Sequence, residues 1–290
     1  MNKILITGSS GKLGFYLSRI LSKNYKIYDM GKKKRKFNLT QKLKLTKYLL
    51  ATKPDFVLNC AAITNIDLCE KMRKKTSIVN VGIIKNLIDI KNKFKLKFKL
   101  IQISTDQMYD NQNSARNKEN AKPKINNFYT KQKLMAEKIS LTQDSIILRT
   151  NFFGFTKNKN NQTFTDWLYK NAKTKKPIYL FEDIKFNPVR IKTLERIIRK
   201  IINNRDIQFK GIYNVGCING LSKKDFALIF LKKFKNLRYK TIKYAKVLKT
   251  KRSKNMIMNI KKFEKHFKFK LPNIYNEIKK ELIFYEKNYN

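Results

Sequence analysis

The segment Lys3-Ile-Leu-Ile-Thr-Gly8-Ser-Ser-Gly11-Lys-Leu-Gly14 decides the fold that this sequence predicts. Lys3 to Thr7 has the length and composition of a buried strand, and Leu13 to Leu21 repeats apolar residues at helical spacing. Between them, three of the chain's nine glycines fall within seven positions. A glycine-rich turn from strand to helix lets the backbone approach a ligand closely and presents free N–H groups to a pyrophosphate. We therefore expect a dinucleotide to bind at this turn.

Short apolar runs alternate with helical patterns along the chain. The predicted strands are Lys3–Thr7, Lys26–Asp29, Phe56–Cys60, Lys99–Ser104, Ser145–Arg149, Ile178–Phe181 and Gly211–Val215. The predicted helices are Leu13–Leu21, Leu43–Leu50, Ser77–Ile90, Tyr129–Ile139, Phe164–Ala172, Leu194–Ile202 and Ser222–Phe230. Such alternation is typical of a parallel sheet covered by helices on both faces.

The pattern predicts an α/β fold in two parts. Residues 1–150 form an NAD(P)-binding domain, a doubly wound parallel sheet of Rossmann type, to which a segment near 185–218 returns. Residues 151–290 form mainly a smaller lobe, since apolar groups recur there too often for a solvated tail.

The chain is strongly basic. It holds 67 Lys and Arg against 20 Asp and Glu, a formal net charge of +47. Such an excess raises the possibility of a nucleic-acid partner, and the aromatic residues between lysines in Phe94–Phe98 are of a kind that stacks on bases. The lysines are, however, spread over the whole chain, and Phe94–Phe98 leads directly into the strand at Lys99. We therefore interpret the charge as a compositional bias and expect no nucleic-acid partner.

Cysteine and histidine usage excludes several kinds of site. Cys60, Cys69 and Cys217 form no close pair, so we expect neither a disulfide framework nor a bound metal. The single histidine, His266, is predicted to lie on the surface, which excludes Ser-His-Asp catalysis and His-ligated zinc. The first apolar run, Ile4–Ile6, is too short for a signal peptide, and no apolar stretch approaches the ~20 residues that span a bilayer. We expect a cytoplasmic protein without a membrane partner.

Tyr129 and Lys133 lie four residues apart, on one face of a predicted helix. An ammonium near a phenol stabilises the phenolate and lowers the tyrosine pKa from its usual value of about 10. Tyr129 is therefore a candidate proton donor or acceptor in a chain with a single, distant histidine. Ser104 and Thr105 lie at the end of a predicted strand, where a hydroxyl would bind the same carbonyl oxygen.

Two signals near the second strand disagree about the dinucleotide. Asp29 follows Gly8 by 21 positions, as expected for a carboxylate that bonds the adenosine ribose hydroxyls. The basic stretch Lys32–Lys36 would instead neutralise a 2′-phosphate. The choice between NADH and NADPH therefore stays open.

The order of these motifs resembles that of the extended short-chain dehydrogenases/reductases, and more narrowly that of the dTDP-4-dehydrorhamnose reductase family. The resemblance covers nearly the whole chain. It rests on the glycine turn, Asn59-Cys-Ala-Ala62, Ser104-Thr-Asp106, Tyr129-x-x-x-Lys133, the segment Lys53 to Glu70, Ile147 to Thr150, Pro188, Gly211–Val215 and Arg252.

The resemblance implies that residues 151–290 form mainly an α/β lobe that binds the substrate, and it implies roles for individual residues. The implied catalytic residues are Thr105, Tyr129 and Lys133. The implied cofactor-binding residues, for NADPH or NADH, are Gly8, Gly11, Lys12, Leu13, Gly14, Asp29, Asn38, Leu39, Ala61, Ala62, Thr64, Tyr129 and Lys133. The implied substrate-binding residues are Thr105, Asp106, Phe152 and Arg252.

The activity implied is NAD(P)H-dependent reduction of a keto group on a nucleotide-activated deoxysugar, with Tyr129 as general acid, as in polysaccharide biosynthesis. Dehydration is disfavoured because Gln107 stands where related dehydratases carry a glutamate, and an amide cannot shuttle a proton. A nucleotide-sugar epimerase and a non-catalytic NADP-binding regulatory subunit stay open as alternatives. The sugar, the nucleotide and the oligomeric state, for which a homodimer is one option, also stay open.

Overall fold

The computed structural model describes residues 1–30, 38–111, 115–155, 162–204, 210–246 and 248–288. Contacts divide the chain into two units, each assembled from several segments. The first unit comprises Met1–Thr105, Asn127–Leu148 and Asn204–Ile212, and the second comprises Asp106–Asn126, Arg149–Asn203 and Tyr213–Asn290. No helix in the described ranges is long and apolar enough to cross a membrane.

Strands and helices alternate through the first 150 residues, as the sequence predicts. They are β1 (Lys3–Thr7), α1 (Lys12–Leu21), β2 (Lys26–Met30), α2 (Lys42–Thr52), β3 (Phe56–Asn59), α3 (Ile66–Lys71), α4 (Arg73–Ser77), α5 (Ile83–Lys93), β4 (Lys99–Ile103), α6 (Phe128–Leu141) and β5 (Ser145–Thr150). The remaining elements are β6 (Phe152–Phe153), α7 (Phe164–Lys173), β7 (Ile178–Phe181), β8 (Lys185–Phe186), β9 (Val189–Arg190), α8 (Ile191–Ile202), β10 (Gly211–Val215), β11 (Leu221–Ser222), α9 (Lys223–Phe230), β12 (Tyr239–Ile242), α10 (Lys261–Phe267) and α11 (Ile274–Asn288).

Six of the described strands form one sheet in the order β10-β5-β4-β3-β1-β2. β1 pairs in parallel with β2 and β3, and β4 pairs in parallel with β3 and β5. The predicted fold class is thus confirmed. The chain leaves β1 for β2 on one side and later for β3 on the other, so the strand order reverses between β1 and β3. Open sheets of this kind bind ligands at such a reversal, outside the carboxyl ends of the strands.

The central strands are buried on both faces, which explains their continuous apolar sequences. Every residue of β3 and of β4 is buried, as are Ile4 to Thr7 of β1. Helix α5 packs Ile84, Leu87 and Ile88 into the same core as Leu5 and Val57. This core holds in place the strand ends on which the predicted site residues lie.

One predicted helix, Ser77–Ile90, differs from the structure. It is interrupted near its start by a π-helical turn, Ile78–Gly82, between α4 and α5. Such a turn accommodates one extra residue and is frequent at functional sites. Here it places the polar side chain of Asn80 in the interior.

The second unit contains short strand pairs, of which the sequence predicted one strand, β7. β6 pairs with β9, β8 with β11 and β7 with β12. Several of these strands have two residues, too few to show periodicity. The lysine-rich last third is anchored by buried ionic groups, since Arg190 Nε lies 2.7 Å from Glu281 Oε2 and Tyr285 donates to Asp166 Oδ1 at 2.6 Å.

The start of α6, the helix that carries Tyr129 and Lys133, is fixed by two side chains. Asn127 Oδ1 accepts a hydrogen bond from Thr130 N at 2.9 Å, and Glu70 Oε1 accepts one from Phe128 N at 2.5 Å. Both acceptors satisfy N–H groups that have no partner within the helix. These two hydrogen bonds therefore fix the residue at which α6 begins.

Asn127→Ala should lower the free energy of unfolding by about 1–2 kcal/mol, because it leaves a buried N–H group without an acceptor. Asn65→Ala is the matched control: Asn65 caps α3 through Leu68 N at 2.9 Å, but it is exposed, so water replaces the cap and the loss should be about 0.5 kcal/mol. Urea unfolding of both variants measures the difference. Equal losses would contradict the role assigned to the buried cap.

Candidate active site

The glycine turn after β1 leaves no room for side chains. Gly8 has a φ of +70°, and a Cβ there would lie 2.6 Å from the Cα of Ala61, in the loop after β3. A Cβ on Gly14 would lie 2.5 Å from the carbonyl oxygen of Gly8. Gly11 N donates to that same oxygen at 2.9 Å, which closes the turn. The two loops thus meet at the strand reversal through backbone alone.

The turn fits a phosphate group. Helix α1 begins at Lys12 without a side-chain cap and without an acidic residue in its first turn, so the positive end of its dipole is not neutralised by its own side chains. Ser9 Oγ is buried and has no hydrogen-bond partner among the described residues. Both features favour an anion that accepts hydrogen bonds.

The remaining predicted cofactor residues follow the carboxyl ends of neighbouring strands. Asp29 lies in β2 beside Ile6 and is half-buried. Asn38 is exposed and accepts from Thr40 N, whereas Leu39 packs into the core before α2. Ala61, Ala62 and Thr64 lie in the loop after β3. The basic stretch Lys32–Lys36 lies outside the described residues.

A buried row of polar side chains crosses the carboxyl ends of three strands. Thr7, Asn59 and Gln102 are register partners across β1, β3 and β4. The Thr7 hydroxyl donates to Asn59 Oδ1, and Asn59 Nδ2 donates to Gln102 Oε1 at 2.8 Å. Gln102 Nε2 continues the row to the carbonyl of Ile103 at 2.9 Å.

This row ends at Lys133. Its Nζ donates to the same carbonyl, Ile103 O, at 2.6 Å, and its side chain is 4% exposed. Burial lowers the pKa of Lys133 to about 8, against the opposing effects of the Glu137 carboxylate and of Cys60. The ammonium of Lys133 therefore loses its proton at a lower pH than that of an exposed lysine.

Glu137 is a buried carboxylate one helical turn beyond Lys133. It is 1% exposed, and its Oε1 accepts the Ser104 hydroxyl at 2.6 Å. It thereby holds the residue that precedes Thr105 while its negative charge favours the protonated form of Lys133. Helix α6 and the end of β4 are joined twice, at Ile103 and at Ser104.

The three predicted catalytic residues all belong to the first unit. Tyr129 lies one turn before Lys133 on α6, and Thr105 lies two positions after Ile103, whose carbonyl Lys133 binds. Tyr129 and Thr105 are both buried. Their catalytic roles stay a prediction.

Asn80 and Gln132 were missed by the sequence reasoning. Asn80 accepts from Ile63 N at 2.7 Å and donates to Ile63 O at 3.0 Å, so one side chain binds both backbone polar groups of a residue in the loop after β3. Gln132 on α6 accepts from Asn80 Nδ2 at 2.7 Å. The sequence signal for both, a polar residue at a helix position, is one that exposed helix positions share.

The other predicted substrate residues lie in the second unit. Asp106 is buried and accepts from Asn151 Nδ2 at 3.0 Å. Asp106 and Arg252 both act electrostatically on Lys223, which sequence reasoning did not single out. Phe152 is half-buried in β6, where it pairs with Val189 of β9.

Known proteins are similar to this chain over most of its length. The family model described as the RmlD substrate binding domain matches residues 1–285. The spore coat polysaccharide biosynthesis protein SpsK of Bacillus subtilis is 27% identical over 232 residues, which cover 78% of this chain and 77% of that protein. The dTDP-4-dehydrorhamnose reductase of Aggregatibacter actinomycetemcomitans is 26% identical over 234 residues, 79% of this chain and 78% of that one.

Solved structures show the same fold. The crystal structure of a dTDP-4-dehydrorhamnose reductase from Bacillus anthracis, in complex with NADP, superposes with a TM-score of 0.87. The match covers 98% of this chain and 99% of that chain, at 21% sequence identity. The arrangement of strands and helices is therefore shared over essentially the full length.

The buried Lys133 should make the free energy of unfolding depend on pH. Because the pKa of Lys133 falls from 10.5 to about 8 on folding, the unfolded chain binds the extra proton between these values. The free energy of unfolding should therefore rise with pH in that window, by up to about 1 kcal/mol per pH unit, and the gain should be absent below pH 8. Lys133→Met removes this contribution.

Urea unfolding between pH 7 and 10.5 tests this expectation. The difference between wild type and Lys133→Met should grow in favour of wild type as the pH rises, whereas Lys138→Met, which removes an exposed lysine of the same helix, should run parallel to wild type. A constant difference between wild type and Lys133→Met would contradict the lowered pKa.

Proposed function

The chain belongs to the family of the RmlD substrate binding domain, the dTDP-4-dehydrorhamnose reductases, and on this premise we propose that it reduces a keto group on a nucleotide-activated deoxysugar with NADPH or NADH. The observation that carries the proposal is the placement of Tyr129 and Lys133. Both side chains are buried, one helical turn apart on α6. Lys133 donates a hydrogen bond to Ile103 O at the end of β4, two positions before Thr105. A homodimer and a cytoplasmic location stay predictions.

The first unit provides the residues for a dinucleotide. The turn that Gly8, Gly11 and Gly14 form leaves no room for a Cβ at Gly8 or Gly14, and the uncapped start of α1 would hold the pyrophosphate. Asp29 would bind the adenosine ribose, and the loop that Asn80 clamps, with Ala61 and Ala62, would border the nicotinamide half. When bound, the nicotinamide supplies the hydride that reduces the carbonyl carbon.

Three side chains would handle the proton and the carbonyl oxygen. Tyr129 donates its phenolic proton to the oxygen as negative charge develops there. Thr105 donates a hydrogen bond to the same oxygen. Lys133, one turn away, stabilises the phenolate that is left, and Glu137 keeps the ammonium charged in its buried position.

Tyr129→Phe should lower kcat by about 10²–10⁴-fold, because the ring stays in place while the proton donor is lost. The affinity for NADPH should change little. The measurement is the loss of nicotinamide absorbance with a panel of nucleotide-linked 4-keto sugars, compared with nicotinamide fluorescence on binding. Tyr25→Phe, which removes another buried phenol of the first unit, is the matched control.

Turnover near that of wild type in Tyr129→Phe would refute the assignment of the acid. Absence of turnover by wild type with every keto sugar would refute the reduction itself. Product analysis distinguishes an epimerase from a reductase, since an epimerase converts its substrate without net consumption of NADPH.

Gly8→Ala should weaken NADPH binding by at least about tenfold, because its Cβ collides with backbone and its φ disfavours alanine. Gly82→Ala is the control: the nearest atom to a Cβ there is Ser77 O at 3.9 Å, so its affinity should equal that of wild type. Fluorescence titration measures both affinities, and circular dichroism establishes that each variant is folded. Unchanged binding by Gly8→Ala would contradict a cofactor at this turn.

A further inference from the structure

One stretch of the first unit, residues 61–80, joins the loop after β3 to the helix that carries Tyr129. Within it, Asn80 binds both backbone polar groups of Ile63, and the Cys69 thiol lies 3.4 Å from the Ile63 carbonyl oxygen. Helix α3 and the π-helical turn of this stretch pack against α6. The same stretch therefore supports the residues proposed to border the nicotinamide and those proposed to handle the proton.

Two side-chain contacts attach α6 to this stretch, and they fall on either side of Tyr129 in the sequence. Before it, Glu70 Oε1 accepts a hydrogen bond from Phe128 N at 2.5 Å. After it, Gln132 Nε2 donates to Thr76 Oγ1 at 2.8 Å. The turn of α6 that contains Tyr129 is thus attached to neighbouring helices at both of its ends.

The Glu70 carboxylate is itself held in place. Its second oxygen, Oε2, lies 2.8 Å from Arg73 Nη2. The guanidinium of Arg73 also lies over the ring of Phe128, 5.1 Å from its centroid, and Lys131 Nζ lies 5.9 Å from the same centroid. Glu70 therefore binds the backbone of Phe128 while its ion-pair partner packs against the side chain.

The start of α6 favours a carboxylate at this position. Helix α6 has no acidic residue in its own first turn, so the positive end of its dipole is not neutralised from within the helix. Glu70 supplies the negative charge from α3, and its hydrogen bond to Phe128 N is charge-assisted. Because the side chain of Glu70 is 26% exposed, its replacement leaves no closed cavity and should be tolerated by the fold.

The two acceptors at the start of α6 act in different ways. Asn127 Oδ1 binds Thr130 N within the same short segment, so it shapes the first turn without attaching it to another element. Glu70 reaches Phe128 N from a helix that is 58 residues away in the sequence. Glu70 therefore determines where the first turn of α6 lies relative to α3.

We propose that Glu70 is a positioning residue for proton transfer, which holds Tyr129 in place relative to the loop 61–64. The inference rests on the proposed function, in which a carbonyl is reduced by a hydride from NAD(P)H and a proton from Tyr129. A proton donor must lie within about 2.6–3.2 Å of its acceptor, and a displacement of about 1 Å costs on the order of a hundredfold in rate. Without the bond from Glu70, the first turn of α6 loses its attachment to α3.

Steady-state kinetics with the keto sugar that wild type reduces tests this role. Glu70→Ala removes the acceptor and should lower kcat by about 10–10²-fold, while KM for the sugar and the affinity for NADPH stay within about twofold of wild type. Glu70→Gln keeps an oxygen that accepts from Phe128 N, so its kcat should lie within about threefold of wild type. Asp89→Ala, the matched control, removes a partly exposed carboxylate paired with Lys42 at 2.6 Å and should leave kcat unchanged.

A second measurement separates positioning from loss of folded protein. Partial unfolding lowers kcat in proportion to the fraction lost, but it leaves the isotope effect of the remaining enzyme unchanged. A displaced proton donor makes proton transfer more rate-limiting. The solvent deuterium isotope effect on kcat should therefore be larger in Glu70→Ala than in wild type and should return to the wild-type value in Glu70→Gln. Thermal unfolding records the stability of each variant.

A Glu70→Ala variant with the kcat of wild type would overturn the role of Glu70 and leave the proposed function intact, since wild type still reduces the sugar. Equal losses in Glu70→Ala and Glu70→Gln would also overturn it, because the hydrogen bond to Phe128 N would then not set the rate. A lower kcat with an unchanged solvent isotope effect would do the same. If wild type reduces no keto sugar, the proposed function fails and the positioning role fails with it.

Discussion

The site depends on how polar groups are accommodated at the carboxyl edge of a sheet that is buried on both faces. Thr7, Asn59 and Gln102 stand side by side in register, and each would be costly in the interior without a partner. They satisfy one another in a row that ends at the Ile103 carbonyl, to which Lys133 also donates. The strand that leads into the glycine turn and the helix with the tyrosine–lysine pair are thereby tied to one hydrogen-bonded line.

A buried ammonium at the end of this line couples stability to chemistry. Burial destabilises the charged form of Lys133, and the fold offsets this with a backbone carbonyl and with Glu137. The same carboxylate fixes Ser104 and so the start of the segment with Thr105. A charge that is unfavourable for folding is thus held where the proposed reaction needs it, which is a common property of active sites.

The loop after β3 is held in position by contacts on two sides. It is pressed against Gly8 on one side, where a methyl group would collide, and is clamped by Asn80 on the other. The π-helical turn exists where Asn80 turns inward, and Gln132 of α6 supports it from within. A helical irregularity is therefore part of how the loop beside the glycine turn is positioned.

The sequence by itself determined the alternation of strands and helices, the glycine turn and the Tyr129–Lys133 pair, because buried strands, tight turns and helix faces each leave a local pattern. It did not reveal Asn80, Glu137 or Lys223, since a lone polar residue in a helical pattern looks the same whether it faces solvent or core. In a chain with 67 Lys and Arg, one lysine also carries little information. Tertiary structure decided these roles, because burial, register across strands and the neighbours of a charge depend on residues far apart in the chain.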